Sequence, residues 1–204
     1  MTDRPLDVIV VGSGVAGLSS AIRLARSGLA VAVATKGELG TTATAWAQGG
    51  VAAVVDEGRD SVSLHVADTL TAGAGLCDEA AVEILVAEGP RRIAELVELG
   101  ATFDREPDGM LSLAREGGHS ASRVLHAGGA ATGAEVQRTL EAGALAAGVE
   151  LIARHQGSEL LLGSDGVVGI EILGEDGPVR LGAPHVVLAT GPAGPDTYPQ
   201  LLAP

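Results

Sequence analysis

The stretch DVIVVGSGVAG, residues 7–17, constrains the fold more than any other part of the chain. Residues 7–12 form a short run that after Asp7 is apolar, largely β-branched and ends in glycine, which is the pattern of a buried parallel strand. From Val15 to about Ser27 the apolar residues Val15, Leu18, Ile22 and Leu24/Ala25 recur at helical spacing, and Gly28 closes the helix. LAVAVAT, 29–35, reads as a second buried strand. Strand, glycine turn, helix and strand within residues 7–35 make a βαβ unit, a connection that builds a parallel sheet.

Gly12, Gly14 and Gly17 spell GxGxxG at the strand-to-helix turn. Gly12 permits the tight turn, Gly14 lets backbone approach a pyrophosphate, and Gly17 lets helix and strand pack closely, while the helix N-terminus supplies amides and partial positive charge. The pattern reads as a dinucleotide site; the plainer alternative is an ordinary glycine-rich turn. An acidic ribose-holding residue is expected about twenty positions on, but Thr35-Lys36 stands there. Lys36 can offset phosphate charge, with Thr35 or a backbone group on the ribose, or Lys36 is simply a solvated turn residue.

A long Gly/Thr/Ala-rich loop, 37–50, follows, too long for a mere connector. Helical segments are expected at about 60–73 and 78–99, the second interrupted near Glu88-Gly89-Pro90, where the proline can start a new turn. Residues 101–129 carry little periodicity. Thr132 can cap a helix to about Ala147, with Glu135 as capping-box partner and Gly148 as its end. VELIAR reads as a strand, residues 158–182 as an antiparallel meander, and HVVLATG, 185–191, as another buried strand meeting a glycine turn. The expected fold class is α/β, a Rossmann-like domain with a central parallel sheet and an antiparallel β-meander over 1–191, followed by a divergent Pro-rich tail, 192–204.

A hydrophobic content of 46% over 204 residues suffices for a real core. Thirteen basic against twenty-six acidic side chains, a net charge of −13, argue against nucleic acid or an anionic membrane surface as partner. The one cysteine, Cys77, cannot form an internal disulfide and reads as an inert core or helix-start residue. The glycine- and arginine-interrupted start matches neither a membrane span nor a signal peptide, so a cytoplasmic protein is expected.

SLAREGGHSASRVLHAGG, 112–129, concentrates Arg115, Glu116, His119, Arg123 and His126 in a chain otherwise rich in Ala, Val, Leu and Gly. His119 and His126 can be read as ligands of a substrate carboxylate or as polar core residues. They stand seven apart without acidic or sulfur partners at ligand spacing, so no metal site is expected.

Taken together, DVIVVGSGVAGLSSAIRLA, TATAWAQGGVAAV, HVADTLTAGAGLCD, LAREGGHSASRVLHAGGAATG and VVLATG resemble, in order and spacing, the L-aspartate oxidase family. That family is the soluble relative of the succinate dehydrogenase and fumarate reductase flavoproteins. The resemblance implies non-covalent FAD, with its pyrophosphate over Ser13, Gly14, Val15 and Ala16 between Gly12 and Gly17. It implies that Lys36 and the loop Ala43, Thr44, Ala45, Trp46, Ala47, Gln48, Gly49 and Gly50 approach the flavin and ribityl chain. Backbone at Gly157 and Ser158 would meet the adenine, and Ala189, Thr190 and Gly191 would also bind the cofactor. Respiratory relatives carry a flavin-bonding histidine where this chain has Ala43.

By the same resemblance Glu116 lies beside the flavin ring and takes the amino group of L-aspartate, and His119 joins it as a candidate catalytic residue. The implied reaction is hydride removal from L-aspartate to FAD, giving iminoaspartate for quinolinate and NAD synthesis, with oxygen or fumarate as electron acceptor. The carboxylate-gripping groups of the family come from a capping domain and later segments, so an incomplete chain without activity of its own is expected. The alternatives are a non-catalytic dinucleotide-binding remnant and a succinate- or fumarate-type flavoprotein fragment.

Overall fold

In chain order the elements are β1 (Val8–Val11), α1 (Val15–Arg26), β2 (Val31–Ala34), β3 (Val51–Ala52), α2 (Val62–Gly73), α3 (Glu79–Glu98), β4 (Leu113–Ala114) and β5 (Val124–Leu125). They continue as α4 (Thr132–Ala146), β6 (Glu150–Ile152), β7 (Gln156–Gly163), β8 (Gly166–Gly174), β9 (Gly177–Gly182) and β10 (His185–Leu188). This computed structural model describes residues 5–191, so the Pro-rich segment 192–204 lies outside the described residues. Contacts divide the chain into two units, Met1–Trp46 with Gln137–Pro204, and Ala47–Val136.

In the first unit, β10, β1, β2 and β6 form a parallel sheet in that order. β1 and β2 occupy its middle and are buried at every residue, which is why both are unbroken apolar runs. β7, β8 and β9 form the expected antiparallel meander. Ile9, Val11 and Ala34 share one core with Leu160, Ile170, Ile172 and Leu181, so the meander packs on the parallel sheet through small and branched aliphatics. β10 departs from its expected burial. Among the described residues it is an edge strand, with His185 exposed and Val186, Val187 and Leu188 half-buried.

α1 buries Gly17, Leu18, Ala21 and Ile22, but Val15 is 49% exposed because the first helical residue stands clear of the sheet. Arg23 and Arg26 sit in the last turn, where cations complement the helix dipole.

In the second unit α2 begins at Ser61, whose Oγ accepts the Leu64 amide, and α3 at Asp78, whose carboxylate accepts the Ala81 amide. The expected break near Pro90 is absent: α3 runs unbroken through it. Gly89 lacks the Cβ that would crowd the proline ring, and Val86 and Ile93 are buried on either side of it, so packing outweighs the lost backbone bond. β3, β5 and β4 make a small antiparallel sheet over a core of Ala53, Ile93, Phe103 and Leu125. Its two-residue strands are too short to leave a period in the sequence.

The capping box expected at α4 does not form. Thr132 Oγ1 accepts the Ala127 amide and Glu135 Oε1 accepts the Thr102 amide, so both side chains anchor neighbouring loops instead. Among the described residues no helix is long and apolar enough to cross a membrane.

Candidate functional site

The glycine turn is dictated by space. Gly12 has φ +108°, and a Cβ there would lie 2.3 Å from the Ala189 carbonyl oxygen. A Cβ on Gly17 would lie 1.8 Å from the Gly12 carbonyl oxygen, so α1 can approach the turn only because residue 17 has no side chain. Gly14 is the N-cap of α1 and offers no side-chain cap, and the first turn holds no acidic residue. A helix start that is neither capped by its N-cap residue nor acidic, at the end of a buried strand, suits an anion. Val15 and Ala16 are exposed at this end, and the Val15 amide donates to Thr44 Oγ1 at 3.1 Å. The Ala189 amide donates to the Val11 carbonyl at 2.8 Å, so the backbone of Ala189 and Thr190 lies against Gly12.

Thr35 has a structural role in the turn. It is buried, and Ser13 Oγ donates to its Oγ1 at 2.8 Å, tying the glycine turn to the end of β2. Lys36 is exposed. Gln137 went unrecognised in the sequence. It is 1% exposed, its Nε2 donates to the Ser13 carbonyl at 2.9 Å and to Glu141 Oε1 at 2.7 Å, and its Oε1 accepts from Thr42 Oγ1 at 2.8 Å. Glu141 Oε1 also accepts the Gly40 amide at 2.6 Å. One buried amide thus links the glycine turn to the loop after β2. Its signal was a polar residue on the buried stripe of α4, three and seven positions before Leu140 and Ala144.

Of the expected loop, Ala43, Trp46, Ala47, Gln48 and Gly49 are exposed and Thr44 and Ala45 half-buried. Gly50 has a packing role: a Cβ would lie 2.2 Å from Val124 Cγ1 and 2.6 Å from the Leu125 carbonyl oxygen. Gly157 is buried opposite Ile172, and the register shifts between Gly157 and Glu159. Ser158 Oγ donates to the Glu171 carbonyl at 3.0 Å, leaving this irregular backbone rather than the hydroxyl for a ligand.

The second unit gathers the charged residues of segment 112–129. Glu116 pairs with His126, Oε1 to Nε2 at 2.9 Å, rather than with Arg115. Arg123 is the largest fully buried side chain among the described residues. Its Nε and Nη2 each donate to Asp60 at 2.7 Å, and its Nη1 donates to Asp68 Oδ2 at 2.5 Å and faces His119 Nδ1 at 3.1 Å. Asp68 Oδ2 also accepts the Ser120 amide and hydroxyl at 2.8 and 2.9 Å. The Ser120 amide and Arg123 lower the Asp68 carboxyl to about 2, and Arg123 lowers that of Asp60. Burial, aided by Arg123, pushes His65 down. Among the described residues no group of His, Cys, Asp or Glu is placed to hold a metal ion.

Residues 7–203 match the FAD binding domain family. The chain is 48% identical over 194 residues to L-aspartate oxidase of Streptomyces coelicolor, an alignment covering 92% of this chain and 33% of that protein. Mycobacterium smegmatis Sdh1 in complex with UQ1 has a similar structure, with TM-score 0.84 and 35% identity over 93% of this chain and 34% of that one. A quinol fumarate reductase FrdA variant from E. coli gives TM-score 0.85 and 30% identity over 95% of this chain and 34% of that one. The chain spans about a third of the length of the curated relatives it matches. The glycine turn, with space for backbone only and a helix start whose N-cap residue, Gly14, supplies no side-chain cap, fits the pyrophosphate of FAD.

Proposed function

The chain belongs to the FAD binding domain family, and from that membership we propose that it is the cofactor-binding part of an L-aspartate oxidase. The observation that carries this reading is its higher identity to L-aspartate oxidases than to Sdh1 or FrdA across almost the same residues. When bound, FAD accepts a hydride from the substrate. The product would be iminoaspartate, used for quinolinate and NAD synthesis in the cytoplasm, with fumarate or oxygen as final acceptor.

Residues Gly12 to Gly17 hold the pyrophosphate through backbone amides and the dipole of α1, with Lys36 offsetting its charge. The Gly157 and Ser158 backbone receives the adenine, and Ala189, Thr190 and Gly191 flank the turn. Ala43 has no atom able to bond the flavin, so FAD is held non-covalently, with Thr44 to Gly50 beside it. Glu116 accepts a charge-assisted hydrogen bond from the substrate ammonium, and His126 keeps that carboxylate in place. Succinate lacks the amine and would forgo the hydrogen bond from the ammonium to Glu116, which is the basis of selectivity.

The purified 204-residue chain, a third of its relatives' length, is expected to co-elute with FAD on gel filtration and to produce no hydrogen peroxide from L-aspartate. The reading itself is tested in a chimera, with residues 7–191 replacing their counterpart in the Streptomyces coelicolor enzyme. Peroxide from L-aspartate and none from succinate supports it. A flavin-loaded chimera that oxidises succinate in place of L-aspartate would move the chain to the succinate and fumarate class.

A further inference from the structure

We infer that the buried Asp60–Arg123 pair sets the tautomer of His119, making it a neutral imidazole whose Nε2–H is a fixed hydrogen-bond donor to a carboxylate oxygen. The donor's partner rests on the reading above, where that carboxylate belongs to L-aspartate; the tautomer does not.

A guanidinium has five N–H donors and no acceptor. Arg123 Nη1 lies 3.1 Å from His119 Nδ1, so Nδ1 must present its lone pair, and a neutral ring then carries its proton on Nε2. Arg123 cannot turn away. It is 0% exposed, and Nε and Nη2 grip both oxygens of Asp60, whose side chain is 2% exposed, in a bidentate pair. The backbone beside His119 is tied to the same cluster, since Asp68 Oδ2 accepts both the amide and hydroxyl of Ser120.

A second imidazole packs against this one. His65 is tilted 59° against His119 with centroids 5.6 Å apart. It is buried with Nδ1 unpartnered. Among the described residues none hydrogen-bonds His119 Nε2, and the residue is only partly buried. The two histidines of this segment therefore differ in role. His126 spends its Nε2 on Glu116, whereas His119 has its inner nitrogen occupied and its outer N–H available. Asp60 and Arg123 are positioning residues in this scheme, acting only through the imidazole.

The test uses the whole chain labelled with 15N at histidine and arginine, with His119 assigned by its loss in His119→Gln. An unprotonated Nδ1, a protonated Nε2 and a through-hydrogen-bond coupling between Nδ1 and Arg123 Nη1 are expected. A proton on Nδ1, or the averaged nitrogens of free imidazole, overturns the inference. Asp68→Asn leaves the Asp60 pair in place and should preserve the pattern; a switch of tautomer there would give the control to Asp68 and also overturn it. Sodium succinate, used as the carboxylate probe, should move the His119 Nε2–H resonance and leave those of His155 and His185 in place, and an unmoved resonance removes the donor role. None of these readouts involves flavin or turnover, so their failure is distinct from failure of the chimera to oxidise L-aspartate.

Discussion

Replacing Arg123 by methionine removes a fully buried cation and leaves Asp60, with 2% of its side chain exposed, as an unpaired buried carboxylate. Breaking a buried pair from one side costs about 3–5 kcal/mol, because the remaining charge keeps its desolvation penalty without its partner. In a chain of this size each kcal/mol lowers Tm by roughly 2–4 °C, so thermal unfolding of Arg123→Met is expected at least 6 °C below the parent. The pH dependence separates lost charge pairing from lost packing. In the parent, Asp60 and Asp68 are held below their ordinary values, so their stabilisation is present above the unfolded pKa near 4 and is lost as pH falls through the lowered folded values, about 2 for Asp68. In the variant, burial without Arg123 raises the Asp60 carboxyl, so protonating it relieves the penalty and the stability gap narrows on acidification. Adding Asp60→Leu removes the stranded charge and should restore most of the loss at neutral pH. A loss below about 1 kcal/mol with Asp60 unpaired, on the scale of an exposed pair, would refute the reasoning. So would a gap that widens on acidification.

Gly17→Ala places a Cβ 1.8 Å from the Gly12 carbonyl oxygen, so α1 must withdraw from the turn; a cost of about 1–3 kcal/mol and at least a tenfold loss of FAD affinity are expected, read by flavin fluorescence. Gln137→Leu strands the Ser13 carbonyl and Thr42 hydroxyl, at about 1–3 kcal/mol, and should weaken FAD binding in the same titration. Glu116→Gln in the chimera should raise affinity for succinate relative to L-aspartate, measured by competition, and unchanged selectivity would remove Glu116 from substrate recognition.

The βαβ start was legible because three constraints coincide on adjacent residues. Strands buried on both faces leave unbroken apolar runs, a helix leaves its 3.6-residue period, and the glycines mark places where a Cβ would meet backbone. The meander was legible through its turn chemistry. Pro90 misled because local steric preference is weaker than the packing of Val86 and Ile93 on one helix face. Thr132 and Glu135 have the letters of a capping box, yet backbone amides five and thirty-three positions earlier in the chain claimed the two side chains.

What the sequence determined by itself is the strand-turn-helix geometry and the absence of side chains at its glycine turn, because these depend on neighbours within a few positions. Only the tertiary structure decided which polar groups meet: Gln137 with Ser13, 124 positions apart, and Arg123 with Asp60, 63 apart. A charged or amide side chain in a sequence does not specify its partner. Burial does, since each such group taken from water must find a complementary one wherever the fold brings it.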